Sequence, residues 1–204
     1  MHTHFAYCAE SDMYPEASID AMSRGDAATI AFTEHAAQLY VRREDYWPPN
    51  FIERPEILRN PETRRIDAYK AYVGRLRSDS VLMGLEVDLD CNGELSVLQE
   101  DRDGFDLLIG AIHWIHNRFV DDVKKGFVWQ VEQFARHGMT ILAHPFRVFR
   151  GLKMEPPADL FKPVVQLLKA GGVAAEVNFH HNEPVTQFFE LCMVHGISPI
   201  LYRQ

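Results

Sequence analysis

Alternation is what most narrows the fold of this chain. Short apolar runs at positions 27–32, 81–88, 105–112, 139–143, 173–179 and 197–202 are separated by stretches whose apolar residues recur every three or four positions. Runs of that length rich in Val, Ile, Leu and Ala read as buried strands, and the intervening periodicity reads as helices with one apolar face. Helices are predicted from Pro15 to just before Gly25, from Pro61 to Arg77 on the spacing of Ile66, Tyr69, Tyr72, Val73 and Leu76, and from Val123 to His137. Two more run from Ala158 to Ala170 and from Pro184 to His195. Gly138, Gly171-Gly172 and Gly196 stand where the last three helices should stop. A further short helix is expected near Leu95–Gln99. Residues 40–60, with Tyr46-Trp47-Pro48-Pro49 and Pro55, read as a loop or lid. Strand, helix and strand in repetition is the signature of an α/β fold with parallel strands.

With 204 residues, no linker and no low-complexity tract, a single domain over 1–204 is expected. A net charge of -8 argues against nonspecific binding to nucleic acid or to an anionic membrane. Three cysteines, Cys8, Cys91 and Cys192, are far apart and lack CxxC spacing, so neither a disulfide framework nor a thiolate zinc site is indicated. No apolar run approaches the roughly 18 residues of a membrane span, and no secretory leader is recognisable, so a cytoplasmic setting is expected.

In parallel α/β architectures the chemistry collects at the C-terminal ends of strands. Here those positions hold His35, Glu86, His113, His144 and Asn178. A carboxylate such as Glu86, inside so apolar a run, is costly to bury without a cation. His2 and His4 flank Thr3, and in an extended segment residues two apart share a face, so both imidazoles can reach one ion. Each residue alone has an ordinary reading: a packed histidine, a Glu86–arginine pair, a solvated turn at Glu34, a loose chain end. Their repetition at strand ends is harder to explain that way. Nitrogen and carboxylate donors without thiolates suit Zn, Mn or Fe.

The stretches His2-Thr3-His4, Ile30-Ala31-Phe32-Thr33-Glu34-His35, Gly84-Leu85-Glu86-Val87-Asp88, Gly110-Ala111-Ile112-His113-Trp114, His144-Pro145 and Glu176-Val177-Asn178 resemble, in order, the motifs of the polymerase and histidinol phosphatase (PHP) superfamily. The resemblance implies a distorted (β/α)7 barrel, similar to a TIM barrel and incomplete at its first and last strands. It also implies two or three divalent ions and hydrolysis of a phosphoester by a metal-bound hydroxide. Carried over by position, it makes His2 and His4 ligands of one ion and Glu86 a bridge to a second, whose other ligands are His113 and His144. His35 is assigned to a third ion together with Glu10, where many relatives have histidine. Glu86, His113 and His144 are the implied catalytic centre, and the small phosphorylated substrate is expected beside Arg147, Arg150 and Asn178, although solvated arginines are as ordinary a reading. Glu176-Val177-Asn178 looks most like the histidinol-phosphatase branch, with L-histidinol phosphate the implied substrate. Relatives have a strand before the first motif and an Asp-Xaa-His motif near the end; here one residue precedes His2, and Tyr202-Arg203-Gln204 stands in the later region. A truncated product, or a centre completed by a second chain or an unusual ligand, is therefore expected. The alternatives are a nuclease-like phosphodiesterase and a non-catalytic metal-binding module. Nothing in the sequence sets the oligomeric state.

Overall fold

The computed structural model describes residues 2–4, 14–25, 28–179 and 185–202. They fall into two compact units, Met1–Cys91 with Leu95–Leu108, and Asn92–Glu94 with Ile109–Gln204.

The first unit begins with β1 (His2–Thr3), α1 (Pro15–Arg24) and β2 (Ile30–His35). It continues through α2 (Arg43–Tyr46), α3 (Asn50–Glu53), α4 (Ile66–Gly74) and β3 (Val81–Val87). β1 pairs with β2 and β2 with β3, both parallel, with Thr33 opposite Gly84 and His35 opposite Glu86. β2 is buried along its whole length and β3 along nearly all of it, which is why both read as continuous apolar runs and not as alternating ones. β2 reaches three residues past the expected end at Phe32, so His35 closes the strand itself. Gly84 is required by crowding: a Cβ there would lie 2.8 Å from the Leu107 carbonyl oxygen and 2.9 Å from Thr33 Cγ2. From α4, the Tyr69 hydroxyl faces the carbonyls of Phe32 and Gly84, each at 2.8 Å, and secures the helix across both strands. With one proton, it donates to one of them at a time.

Three expectations are corrected in this unit. Residues 40–60 are not a loop: α2, α3 and a 3-10 turn at Pro55–Arg59 fill the stretch. Pro48 and Pro49 lie between the helices and Pro55 opens the turn, where a missing N–H costs little, while Phe51, Ile52 and Leu58 supply buried anchors. α4 starts at Ile66 and not at Pro61, because the preceding corner is tied elsewhere. The Thr63 hydroxyl donates to the Tyr40 carbonyl, the Arg65 N–H to the Leu39 carbonyl at 2.6 Å, and Arg64 grips Asp101. No helix forms at 95–99. Ser96 exchanges hydrogen bonds with Asp88, its N–H donating to the Asp88 carbonyl and its Oγ accepting the Asp88 N–H, both at 2.9 Å. That holds the segment extended, and only Gln99–Asp101 turns as a 3-10 helix.

In the second unit come β4 (Leu107–Gly110), whose Ile109 and Gly110 pair there, α5 (Val123–Arg136), β5 (Ile141–Leu142) and α6 (Arg147–Gly151). α7 (Phe161–Gly171), β6 (Ala174–Asn178), α8 (Thr186–Val194) and β7 (Pro199–Tyr202) follow. The pairings β4–β5, β5–β6 and β6–β7 are all parallel. Asp122 caps α5 by accepting the Lys125 N–H at 3.0 Å, and Gly138, at φ 69, releases the chain into β5. Gly110 lets the Phe134 ring of α5 approach to where a Cβ would stand 2.8 Å away. Phe127, Phe146, Phe149, Phe161 and Phe188 pack ring against ring as the core beneath α6. α6 itself was not foreseen in the sequence.

Strands in parallel pairs, taken in chain order and separated by helices, give the α/β class of strand–helix repeats expected from the sequence. Among the described residues no helix is long and apolar enough to cross a membrane.

Candidate metal centre

In the first unit three strands deliver donors to one place. β1 leads into His4, β2 ends at His35, and β3 carries Glu86 directly opposite His35. Register partners in a parallel pair project to the same side, so the backbone pairing alone brings the last two together. His4 Nε2 lies 3.1 Å and His35 Nδ1 3.2 Å from the same oxygen, Glu86 Oε2. The imidazoles stack, their centroids 4.5 Å apart and their planes 14° from parallel. Glu86 is 1 % exposed, so its charge has little water to solvate it. Glu34 is buried in β2, not solvated in a turn, and its carboxylate is 3.9 Å from His4 Nδ1, too long for a hydrogen bond. The Tyr46 ring of α2 leans on His35 at 5.6 Å and stacks on Phe51 at 5.7 Å, closing that flank with apolar surface.

The donor set fits a divalent ion. With bonds of about 2.0–2.1 Å, cis ligand atoms on an octahedral or tetrahedral ion stand roughly 2.9–3.4 Å apart. The separations to Glu86 Oε2 fall in that interval, and all three donor atoms lie within 4.8 Å of one another. The two imidazoles and the carboxylate are borderline and hard ligands, as suits Zn, Mn or Fe.

In the second unit His113 follows β4 and His144 follows β5, with ring centroids 5.2 Å apart and planes inclined at 51°. Gln130, buried on α5, donates from Nε2 to the Trp114 carbonyl at 3.0 Å and fixes the chain just past His113. The His144 turn is held differently. His144 has φ 28 and Phe146 φ 70, backbone conformations that cost non-glycine residues on the order of 1–3 kcal/mol each. Phe146 is anchored in the phenylalanine core, and the His144 N–H donates to Glu176 Oε2 at 2.8 Å. Asn178 Nδ2 donates to that same oxygen at 3.3 Å.

Of the residues singled out in the sequence, His4, His35 and Glu86 converge in the first unit and His113 and His144 meet in the second. Glu86 pairs with imidazoles there, and no arginine is needed to explain its burial. His35 shares the carboxylate oxygen of His4, whereas the resemblance placed it with Glu10. Glu10 and the His2 side chain lie outside the described residues. Arg147 and Arg150 are half-buried on α6, immediately after His144, and Asn178 is bound to Glu176. Sequence reasoning gave Tyr46, Phe146 and Glu176 no role. Glu176 stood in a matching stretch, and its role as an anchor could have been suspected, since a lone carboxylate in the run Val173–Val177 poses the same burial problem as Glu86.

Imidazoles gathered with a buried carboxylate at the C-terminal ends of parallel strands are the makings of a metal-binding α/β protein. The chain belongs to the PHP domain family, which it matches over residues 1–180. Members of that family are generally metal-dependent hydrolases of phosphoesters and typically bind divalent metal ions. Among curated proteins, none matches this chain.

Proposed function

We propose that the protein is a metal-dependent phosphoesterase that hydrolyses a small phosphomonoester, with L-histidinol phosphate as its substrate in a cytoplasmic setting. The observation that carries this reading is the convergence of His4 Nε2 and His35 Nδ1 on one buried oxygen of Glu86. His4, His35 and Glu86 would hold one divalent ion; His113 and His144 would ligate another, to which the sequence resemblance also assigns Glu86. When bound, Zn, Mn or Fe at these residues supplies Lewis-acid stabilisation of charge on phosphoryl oxygens and acidifies water.

The chain's own contributions are orientation and exclusion. Stacking of His4 on His35 fixes both rings, and the apolar flank of Tyr46 and Phe51 keeps water from one side, which strengthens the electrostatics within. Arg147 and Arg150 are assigned to the substrate phosphate, where a guanidinium fork matches phosphoryl geometry, and Asn178 to the substrate's rim. Glu176-Val177-Asn178 supports the histidinol-phosphate assignment by resemblance alone.

Two other readings are separable by experiment. A nuclease-like phosphodiesterase is disfavoured by the net charge of -8. A non-catalytic metal-binding module would bind ions without turnover. Metal content by mass spectrometry, combined with hydrolysis of p-nitrophenyl phosphate, bis-p-nitrophenyl phosphate and L-histidinol phosphate, decides among them. Monoester turnover that rises with metal loading supports the proposal; diester turnover alone, or loaded protein without turnover, rejects it.

A further inference from the structure

We infer that Glu176 is a positioning residue: its carboxylate fixes the backbone of His144 and thereby the direction of the imidazole that faces His113. The functional consequence rests on the metal-binding reading above, but the anchoring itself does not. Glu176 sits in β6 between Ala175 and Val177 and is 2 % exposed. A carboxylate in such a strand is stable only if donors surround it, and the donor at 2.8 Å is the main-chain N–H of His144. A hydrogen bond to an ionised acceptor is short and strong, and this one acts on the backbone of a candidate ligand, not on its ring.

The conformation of the turn shows why an anchor is needed. His144 at φ 28 and Phe146 at φ 70 both lie in the left-handed region, on either side of Pro145, and neither is glycine. A segment of this kind relaxes unless it is held from outside. On one side Phe146 is wedged among Phe127, Phe161 and Phe188, with centroids 5.0, 5.1 and 4.9 Å away. On the other side Glu176 holds the His144 N–H, while Asn178 Nδ2, at 3.3 Å from the same oxygen, steadies the carboxylate. The two clamps act two positions apart in the chain and hold the backbone from which the His144 imidazole faces His113, 5.2 Å away. If Glu176 were only a satisfied buried acid, its loss would lower stability without changing how His144 presents its ring.

The experiment uses the full chain as wild type, Glu176→Ala and Glu176→Gln, the last of which can keep an acceptor oxygen against the His144 N–H. In metal-free protein, amide hydrogen exchange at His144 should quicken at least about tenfold in E176A, with α5 amides unchanged. In Co(II) titrations followed by visible absorption, the equivalent bound at His113 and His144 should weaken by about 10–100-fold in E176A. The equivalent bound at His4, His35 and Glu86 should keep its affinity, and E176Q should stay within a few-fold of wild type in both measurements. Unchanged His144 exchange in E176A overturns the anchor, as does E176Q falling as far as E176A, which would make charge and not the hydrogen bond responsible. Equal weakening of both equivalents, with α5 exchange quickened too, would reduce Glu176 to a general stability role and also overturns it. Should wild type take up no Co(II), the metal-binding reading fails while the exchange data still judge the anchor.

Discussion

His4 and His35 lie ring on ring, 4.5 Å between centroids, and each presents a nitrogen to Glu86 Oε2. A stacked pair sharing one acceptor cannot lose that acceptor and keep its geometry, so Glu86 is the residue on which ion binding in the first unit should turn. Glu86→Gln preserves shape and removes the charge. It should lower metal content by one ion per chain and phosphatase activity by roughly a thousandfold, equivalent to about 4 kcal/mol of lost transition-state stabilisation. Metal analysis of the purified variant beside steady-state kinetics checks both; wild-type metal content with wild-type turnover would remove Glu86 from the centre.

Metal removal should cost stability as well as activity, because His4 just after β1, His35 at the end of β2 and Glu86 in β3 come together only in the folded chain. At an ion concentration a hundredfold above the dissociation constant, linkage gives about 2.7 kcal/mol. For a chain of this length that is a rise in melting temperature of roughly 5–10 °C. Thermal denaturation in chelator and then in excess Zn or Mn measures it, and His35→Ala should shrink the difference.

Asp101 sets an acid limit of its own. Burial would raise its pKa, but the Arg64 fork on both carboxylate oxygens, at 2.5 and 2.6 Å, and the Tyr40 hydroxyl at 2.8 Å outweigh that and hold it below the usual carboxylate range. Because the folded value lies below the unfolded one, the stabilisation is fully present above about pH 4 and is lost as pH falls through the folded pKa. Asp101→Asn should cost about 2 kcal/mol at neutral pH. It should also flatten the acid side of a stability–pH profile, which urea denaturation at a series of pH values would reveal. An unchanged acid limb would show that the Arg64–Asp101 pair does not contribute to it.

Two glycine substitutions should move stability in opposite directions. Gly84→Ala drives a Cβ to 2.8 Å from the Leu107 backbone oxygen, an atom with little room to yield, and should cost about 1–3 kcal/mol. Gly74→Ala, in the last turn of α4 with nothing within 4 Å of the new methyl, should gain up to about 1 kcal/mol. Chemical denaturation of the two variants in parallel tests the packing directly.

The strand–helix order was legible because burial on both faces writes strands as apolar runs, and the strand-end residues His35, Glu86, His113 and His144 stand out against them. What tertiary contacts decide was not legible. Proline density at 40–60 suggested irregular chain, yet burial of Phe51, Ile52 and Leu58 makes short helices worthwhile there. A short helix was expected near Leu95–Gln99, but the paired hydrogen bonds of Ser96 with Asp88 keep that segment extended. The meeting of His35 with His4 on one oxygen depends on alignment between strands, which no local pattern encodes. The left-handed backbone at His144 and Phe146 carries no glycine to announce it.

The pairing of His35 with Glu86 across β2 and β3 has a consequence for folding. Sliding one strand past the other by a single position would turn the imidazole to the opposite face and dissolve the chelate. A divalent ion held there would capture only correctly aligned molecules and would act as a proofreader of assembly. Cation uptake during refolding would then time the moment at which the strands find their proper neighbours.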